Sequence, residues 1–163
     1  MLSLSEFGKH RLGKDGLNYW CKECNRERTR EWSKTASGIY TTLKAQSKFW
    51  NRENIDITRQ DFIDWYNAQT KQCVYCGIKE QDLHKVGDTH NNKLDRLTID
   101  RKDNERGYSI DNIVLACHRC NGTKSDLFSY EIMKEIAQKY IKPMWDAQLY
   151  HSLPTSMIKE GNR

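Results

Sequence analysis

Leu97-Thr98-Ile99-Asp100-Arg101-Lys102-Asp103-Asn104-Glu105-Arg106-Gly107-Tyr108-Ser109-Ile110-Asp111-Asn112-Ile113-Val114-Leu115-Ala116-Cys117-His118-Arg119-Cys120-Asn121-Gly122-Thr123-Lys124 is the stretch on which the fold turns. Leu97–Asp100 and Ile113–Ala116 are short apolar runs rich in β-branched residues, and the polar segment from Arg101 to Asp111, with Gly107, separates them, so they predict two strands joined by a loop. A Cys-x-x-Cys pair closes the second strand and leads into a short helix through Lys124.

Working outward, a second pair, Cys73 and Cys76, stands roughly 40 residues upstream in the tight knuckle Cys73-Val74-Tyr75-Cys76-Gly77. Two such pairs present four thiolates in a tetrahedron, the closed arrangement of structural Zn²⁺. A redox reading of the pairs fits poorly, because neither knuckle opens a thioredoxin-like unit. Composition favours the metal. The chain has 163 residues, 19.3 kDa, about one domain's worth, with 37% hydrophobic and 30% charged residues and a mean hydropathy of −0.91. Its core must be small, although five Trp and eight Tyr argue against disorder. Structural zinc, at about 10–16 kcal/mol in finger peptides, supplies what such a core lacks.

The quoted stretch resembles the HNH endonuclease family, whose ββα-metal motif holds one divalent ion between a strand-end acid and a helix residue. The likeness rests on Asp100 at the strand end, Asn112 before the second strand, and Cys117-x-x-Cys120-Asn121 with Lys124 three residues on. It implies a small α+β fold with little regular sheet, and hydrolysis of phosphodiester bonds in double-stranded DNA. It further implies that Asp100 and Asn121 ligate the catalytic ion and that Asn112 fixes the loop through backbone hydrogen bonds; Lys124, one helical turn beyond Asn121, is placed to contact a phosphate. The residue order agrees, since Asp100 ends one strand and Asn121 opens the helix after its partner. One or two protein oxygens plus waters is the usual Mg²⁺ arrangement around phosphate. Singly, Asp100 reads as a turn residue, Asn121 as a helix cap and Lys124 as a solvated base.

One departure matters. Family members usually carry His beside the strand-end acid as general base, and here the residue is Arg101. Arginine stays protonated and cannot accept the proton, but it can clamp a phosphate oxygen. Some family members show Asp-Arg here, and in them Leu4-Ser5-Glu6-Phe7, Asp64-Trp65-Tyr66, Cys76-Gly77-Ile78 and Lys124-Ser125-Asp126 have counterparts in register. Candidates for the missing base are Tyr108 on the loop and His84 or His90 upstream of the first strand; histidine has the suitable pKa. The rival function, kept open by Arg101, is a zinc-dependent DNA-binding protein with an inactive HNH fold.

The rest of the chain reads as support. Lys and Arg outnumber Asp and Glu ten to five in residues 1–50, against seventeen of each in residues 51–163, so the whole excess of +5 lies in the first third. There Lys22, Arg26, Arg28 and Arg30 are interleaved with Trp20 and Trp32, a mixture suited to phosphate contact and stacking on DNA. Glu23, Glu27 and Glu31 also permit a salt-bridged helix. Cys21 and Cys24 form half of a second zinc site, completed by a pair upstream of this sequence, by His10 with water or another subunit, or lost.

Ser3 to Gly16 reads as a loop or hairpin, and Ile39–Trp50 as a helix. Thr58 caps a helix that buries Phe62, Trp65 and Tyr66 and ends near Gln72. Lys79–Arg96 reads as a long loop. Ser129 opens a last helix with Ile132, Met133, Ile136, Ala137 and Tyr140 on one face, stopped by Pro143. The expected division is a basic N-terminal region over residues 1–56, a nuclease core over 57–142 and a tail over 143–163. No run approaches a membrane span and the start lacks a signal-peptide pattern, so the expected setting is the cytoplasm. One motif per chain favours a homodimer for cutting both strands.

Overall fold

The structure, a computed structural model, describes residues 2–49, 55–88 and 96–151. Two antiparallel strands form first from the N-terminus, β1 (Phe7–Lys9) and β2 (Leu17–Cys21), and α1 (Lys22–Lys34) follows. Thr35 turns the chain into α2 (Ala36–Phe49): its hydroxyl donates to the Trp32 carbonyl and accepts from the Gly38 N–H. Gly38 is needed there, because a Cβ would lie 2.1 Å from the Trp32 carbonyl oxygen. α1 buries none of its residues, whereas α2 sends Ile39, Tyr40 and Leu43 into the core. Trp50, expected to end that helix's apolar side, lies outside the described residues.

α3 (Arg59–Ala68) starts as the sequence predicts, with the Thr58 Oγ1 accepting from the Asp61 N–H, and it buries Phe62 and Tyr66, while Trp65, expected to be buried with them, is half-buried. It ends at Gln69 rather than near Gln72. A 3-10 helix, Glu80–Val86, then replaces part of the expected long loop, because Leu83 and Val86 find places in the core.

The decisive hairpin is present. β3 (Thr98–Arg101) pairs antiparallel with β4 (Ile113–Ala116), Thr98 opposite Ala116 and Arg101 opposite Ile113. All four β4 residues are buried, so β4 is the inner strand and β3 the one that carries polar groups outward. α4 (His118–Lys124) follows directly, capped by the Cys117 sulfur, which accepts the Cys120 N–H. The architecture is therefore small α+β, two short hairpins surrounded by helices, as the sequence implies.

The C-terminal part corrects two expectations. α5 (Tyr130–Ile136) is capped by Ser129, but its apolar face does not run through Ile132 and Tyr140, which are exposed. A π turn at Ala137–Ile141 advances the register, so that Met133, Ala137, Ile141 and Trp145, each four residues apart, are the ones buried. Pro143 does not stop the chain's helical course. It is the second residue of α6 (Lys142–His151), directly after the π turn, and the helical course continues through it. Within the stretch expected as the tail, α6 places Trp145 in the core. Among the described residues, no helix is long and apolar enough to cross a membrane.

Candidate active site and metal centre

The four cysteines of the two inner knuckles converge. Cys73, Cys76, Cys117 and Cys120 are buried, and their sulfurs all lie within 4.8 Å of one another, with Cys76 and Cys117 at 3.8 Å. Backbone geometry brings the knuckles together: the Val74 N–H donates to the Leu115 carbonyl, the Gly77 N–H to the Cys73 carbonyl, and Gly77 has φ 78°. Hydrogen bonding from Cys117, with further bonds from Cys120 and Cys76, pulls the Cys73 thiol strongly down. Interaction with Cys120 and Cys73, together with burial, pushes Cys117 up. Four buried sulfurs that cannot all ionise alone are the donor set a divalent thiophilic cation fits.

Beside this cluster opens a cavity of about 460 Å³. β3 supplies Thr98, Asp100 and Arg101 to its wall, α4 supplies His118 and Asn121, the connecting loop Tyr108, and α2 closes the far side with Thr42, Gln46 and Ser47. The Asp100 carboxylate is buried and held by three groups. The Tyr75 hydroxyl donates to Oδ2 at 2.6 Å, the Arg101 N–H donates to Oδ1 at 2.8 Å, and the Lys124 ammonium lies 3.5 Å from Oδ1. Burial raises the Asp100 pKa, while Tyr75 and Lys124 act the other way and favour the anion. Burial and the neighbouring carboxylate push the Tyr75 phenol far up, so it stays a donor.

Asn121 is oriented by a relay. The Thr98 hydroxyl spends its one proton on the Ala116 carbonyl, 2.9 Å away, and toward Asn121 it can only accept. It therefore takes the Asn121 Nδ2 donor at 2.9 Å, which leaves the amide oxygen as the other end of the side chain. A carboxylate and an amide oxygen on the same cavity are a fit for a hard divalent ion.

A solved structure of PacI, a rare-cutting HNH restriction endonuclease, matches this one with a TM-score of 0.59 and 27% sequence identity, over 91% of this chain and 92% of that chain. The chain has an HNH-like fold. No family model and no curated protein matches the sequence.

Within this HNH-like hairpin, the structure gathers Asp100, Arg101, Tyr108 and Asn121 around one cavity. Asn112 lies beneath it, buried, with its side chain spanning the loop: Oδ1 accepts the Asp103 N–H, and Nδ2 donates to the Asp103 and Gly107 carbonyls. Asn112→Ala leaves those loop groups unpartnered and is expected to cost on the order of 3 kcal/mol, read as a lower melting temperature with the metal content of the cysteine cluster unchanged. Arg101 is partly tied down, with Nη1 donating to the Asn104 and Arg106 carbonyls and the guanidinium 5.2 Å from the Tyr108 ring.

Lys124 is placed differently from the expected phosphate contact. Its side chain is fully buried, donating to Asn104 Oδ1 at 2.8 Å beside Asp100, so it acts as an internal counter-charge. The reason is local: Ser125, at φ 46°, turns the chain right after Lys124 and closes the helix over it. His84 is exposed on the 3-10 helix and does not line the cavity; His90 lies outside the described residues.

The basic N-terminal residues stand apart from the cavity lining. Lys22 donates to the Ser5 carbonyl, Arg26 pairs with Glu23 at 2.5 Å, Arg28 covers the Trp20 ring at 4.8 Å, and Arg30 is exposed. Cys21 caps α1 and accepts the Cys24 N–H at 3.3 Å, a contact that lowers its pKa. No third His, Cys, Asp or Glu ligand joins this pair among the described residues.

Three residues of the site escape a reading of the sequence. Tyr75 sits inside a knuckle, and only the approach of that knuckle to the hairpin carries it to Asp100. Asp88 is buried and accepts the Arg119 N–H at 2.9 Å, bracing the first turn of α4 from 31 residues away. His118 was visible only as a spacer between cysteines; its position three residues before Asn121 was the available signal.

Proposed function

We propose that this chain is a metal-dependent HNH endonuclease that hydrolyses phosphodiester bonds in double-stranded DNA, in a restriction-like, phage or homing role. The observation that carries the reading is the cavity onto which the Asp100 carboxylate and the Asn121 amide open beside a four-cysteine cluster. The likeness to a restriction endonuclease over nine tenths of both chains supports it. Asp100 and Asn121 hold the catalytic ion, Mg²⁺ or another divalent metal; Tyr75 and Lys124 keep the carboxylate in place and oppose the burial that disfavours its charge, and the Thr98 relay keeps the amide oxygen outward. When bound there, such an ion polarises the scissile phosphate and stabilises the leaving oxygen. Arg101, at the end of β3, directs its remaining guanidinium donors at a phosphate oxygen, and Asn112 holds the connecting loop that carries Tyr108 through its bonds to Asp103 and Gly107. Zinc on Cys73, Cys76, Cys117 and Cys120 fixes both ends of the unit. The basic N-terminal region, with Lys22, Arg26, Arg28 and Arg30, grips the duplex, and a homodimer brings two sites to the two strands.

A binding-only reading, DNA held by a zinc-braced but inactive fold, is favoured by one observation: the residue beside Asp100 is an arginine tethered to two loop carbonyls. Supercoiled plasmid incubated with the protein and Mg²⁺ or Mn²⁺ separates the two. Nicked or linear product is the expected result; intact plasmid under every metal, with gel shifts retained, sinks the nuclease reading and leaves the binding one.

A further inference from the structure

The catalytic cavity extends beyond the residues that the motif explains. It runs along the hairpin: Arg101 and Tyr108 mark the end at the connecting loop, Asp100 and Asn121 the middle, and the opposite end reaches the open mouth of the hairpin. There the last strand pair is Thr98 with Ala116, and Arg96 and His118, each two residues beyond, both line the cavity. His118 opens α4 three residues before Asn121, so the two share a helix face, about 4.5 Å apart along the axis. That offset places the two side chains at successive points along the trench, so that a group bound at one has its neighbour toward the other.

His118 is held firmly in that place. Its neighbours Cys117 and Cys120 belong to the sulfur cluster, Asp88 binds the adjacent Arg119 N–H, and the imidazole itself stands outside the metal-ligating group. It is half-buried on the cavity wall. An imidazole offers an N–H donor in either protonation state, and His118 lines the same cavity as the cations Arg96 and Arg101, which draw an anionic group toward it.

Resting on the nuclease reading for what occupies the middle of the trench, we infer that His118 is a DNA-contacting residue whose imidazole donates to the phosphate adjacent to the scissile one, on the side toward the hairpin mouth. The trench then holds consecutive phosphates of one strand: the scissile group at Asp100, Asn121 and Arg101, and its neighbour at His118 and Arg96. His118 acts by positioning, and its loss shifts the strand along the trench.

The test has two arms. In the first, wild type, His118→Ala and His118→Gln, each with unchanged zinc content and melting temperature, cut a duplex whose cleavage position has been mapped on wild type. Single uncharged methylphosphonates replace each flanking phosphate in turn. His118→Ala is expected to cut about tenfold more slowly, and His118→Gln, which keeps an N–H donor, to recover most of the rate. One flanking methylphosphonate should slow wild type but add nothing to the defect of His118→Ala. Wild-type cutting by His118→Ala, or equal slowing of wild type and variant by every methylphosphonate, overturns the assignment.

The second arm needs no cutting. The His118 imidazole resonance, identified by its loss in His118→Gln, is followed as a 20-base-pair duplex is added. Movement of that resonance supports the contact even if no metal elicits cleavage, in which case the nuclease reading alone falls. A stationary resonance at saturating duplex overturns it.

Discussion

Cys117→Ser protein is expected to lose its cooperative thermal transition and to bind no zinc at the inner knuckles. Cys117 sits at the junction of three structures. Its sulfur is one of four in the cluster, it accepts the Cys120 N–H in the first turn of α4, and its backbone joins β4 to α4. A structural zinc worth about 10–16 kcal/mol is comparable to the whole net stability of a domain, about 5–15 kcal/mol, so losing it removes the margin. Serine preserves size and a weak cap but is a poor zinc ligand. Circular dichroism melts with metal analysis of the same samples read the result: a broad, non-cooperative melt and loss of one zinc per chain. A strong chelator should reproduce it on wild type, and acidification should promote it, because the thiols must shed protons to bind and hydrogen ions compete for them. Cys24→Ser is the control. That thiol is exposed and belongs to no three-ligand group among the described residues, so its melt should stay near wild type. If Cys117→Ser melts like wild type, the cluster does not brace the fold.

What the sequence made legible was whatever is fixed by short covalent spacing. Asp100 late in β3, Asn112 before β4 and Asn121 just after Cys120 are separated by a few residues from the elements that orient them, so strand and helix geometry brings Asp100 and Asn121 toward one point, whereas the meeting of the two knuckles, 41 residues apart, follows from the tetrahedral demand of a four-thiolate site. Tyr75 and Asp88 were not legible, because their partners lie 25 and 31 residues away and are reached only through the packed knuckle. The inward placement of Lys124 is hidden for a related reason. Its helical spacing from Asn121 is correct, but whether its ammonium faces outward or inward depends on the turn at Ser125, which no local pattern announces. The C-terminal helix failed at its period. Counting by 3.6 residues put Tyr140 on the apolar face, whereas the π turn moves that place to Ile141. The Arg101 problem was legible as a problem: the sequence shows that the usual base is absent, and the structure adds the tethers that hold the arginine.

Asn121→Ala is expected to reduce Mg²⁺-dependent cutting by about two to three orders of magnitude, the usual effect of removing a group that stabilises developing charge, with little change in melting temperature. The choice of this residue over Asp100 for the cleanest test follows from burial. Lys124 is fully buried, and Asp100 is the carboxylate beside it, so Asp100→Ala strands a buried cation, a change that typically costs about 3–5 kcal/mol. An inactive Asp100→Ala protein could therefore be merely unfolded. Paired removal avoids this: Asp100→Asn with Lys124→Met deletes both charges, keeps an acceptor for the Tyr75 hydroxyl, and should melt closer to wild type than Asp100→Asn alone. That double variant is expected to be as inactive as Asn121→Ala, whereas Lys124→Met alone, which leaves Asp100 and Asn121 intact, should retain measurable cutting. Activity on supercoiled plasmid across a Mg²⁺ titration, beside duplex affinity measured without cleavage, separates the outcomes. Lost cutting with retained affinity in both Asn121→Ala and the double variant supports an ion held between carboxylate and amide. Cutting by either at the wild-type rate removes these two residues from the chemistry.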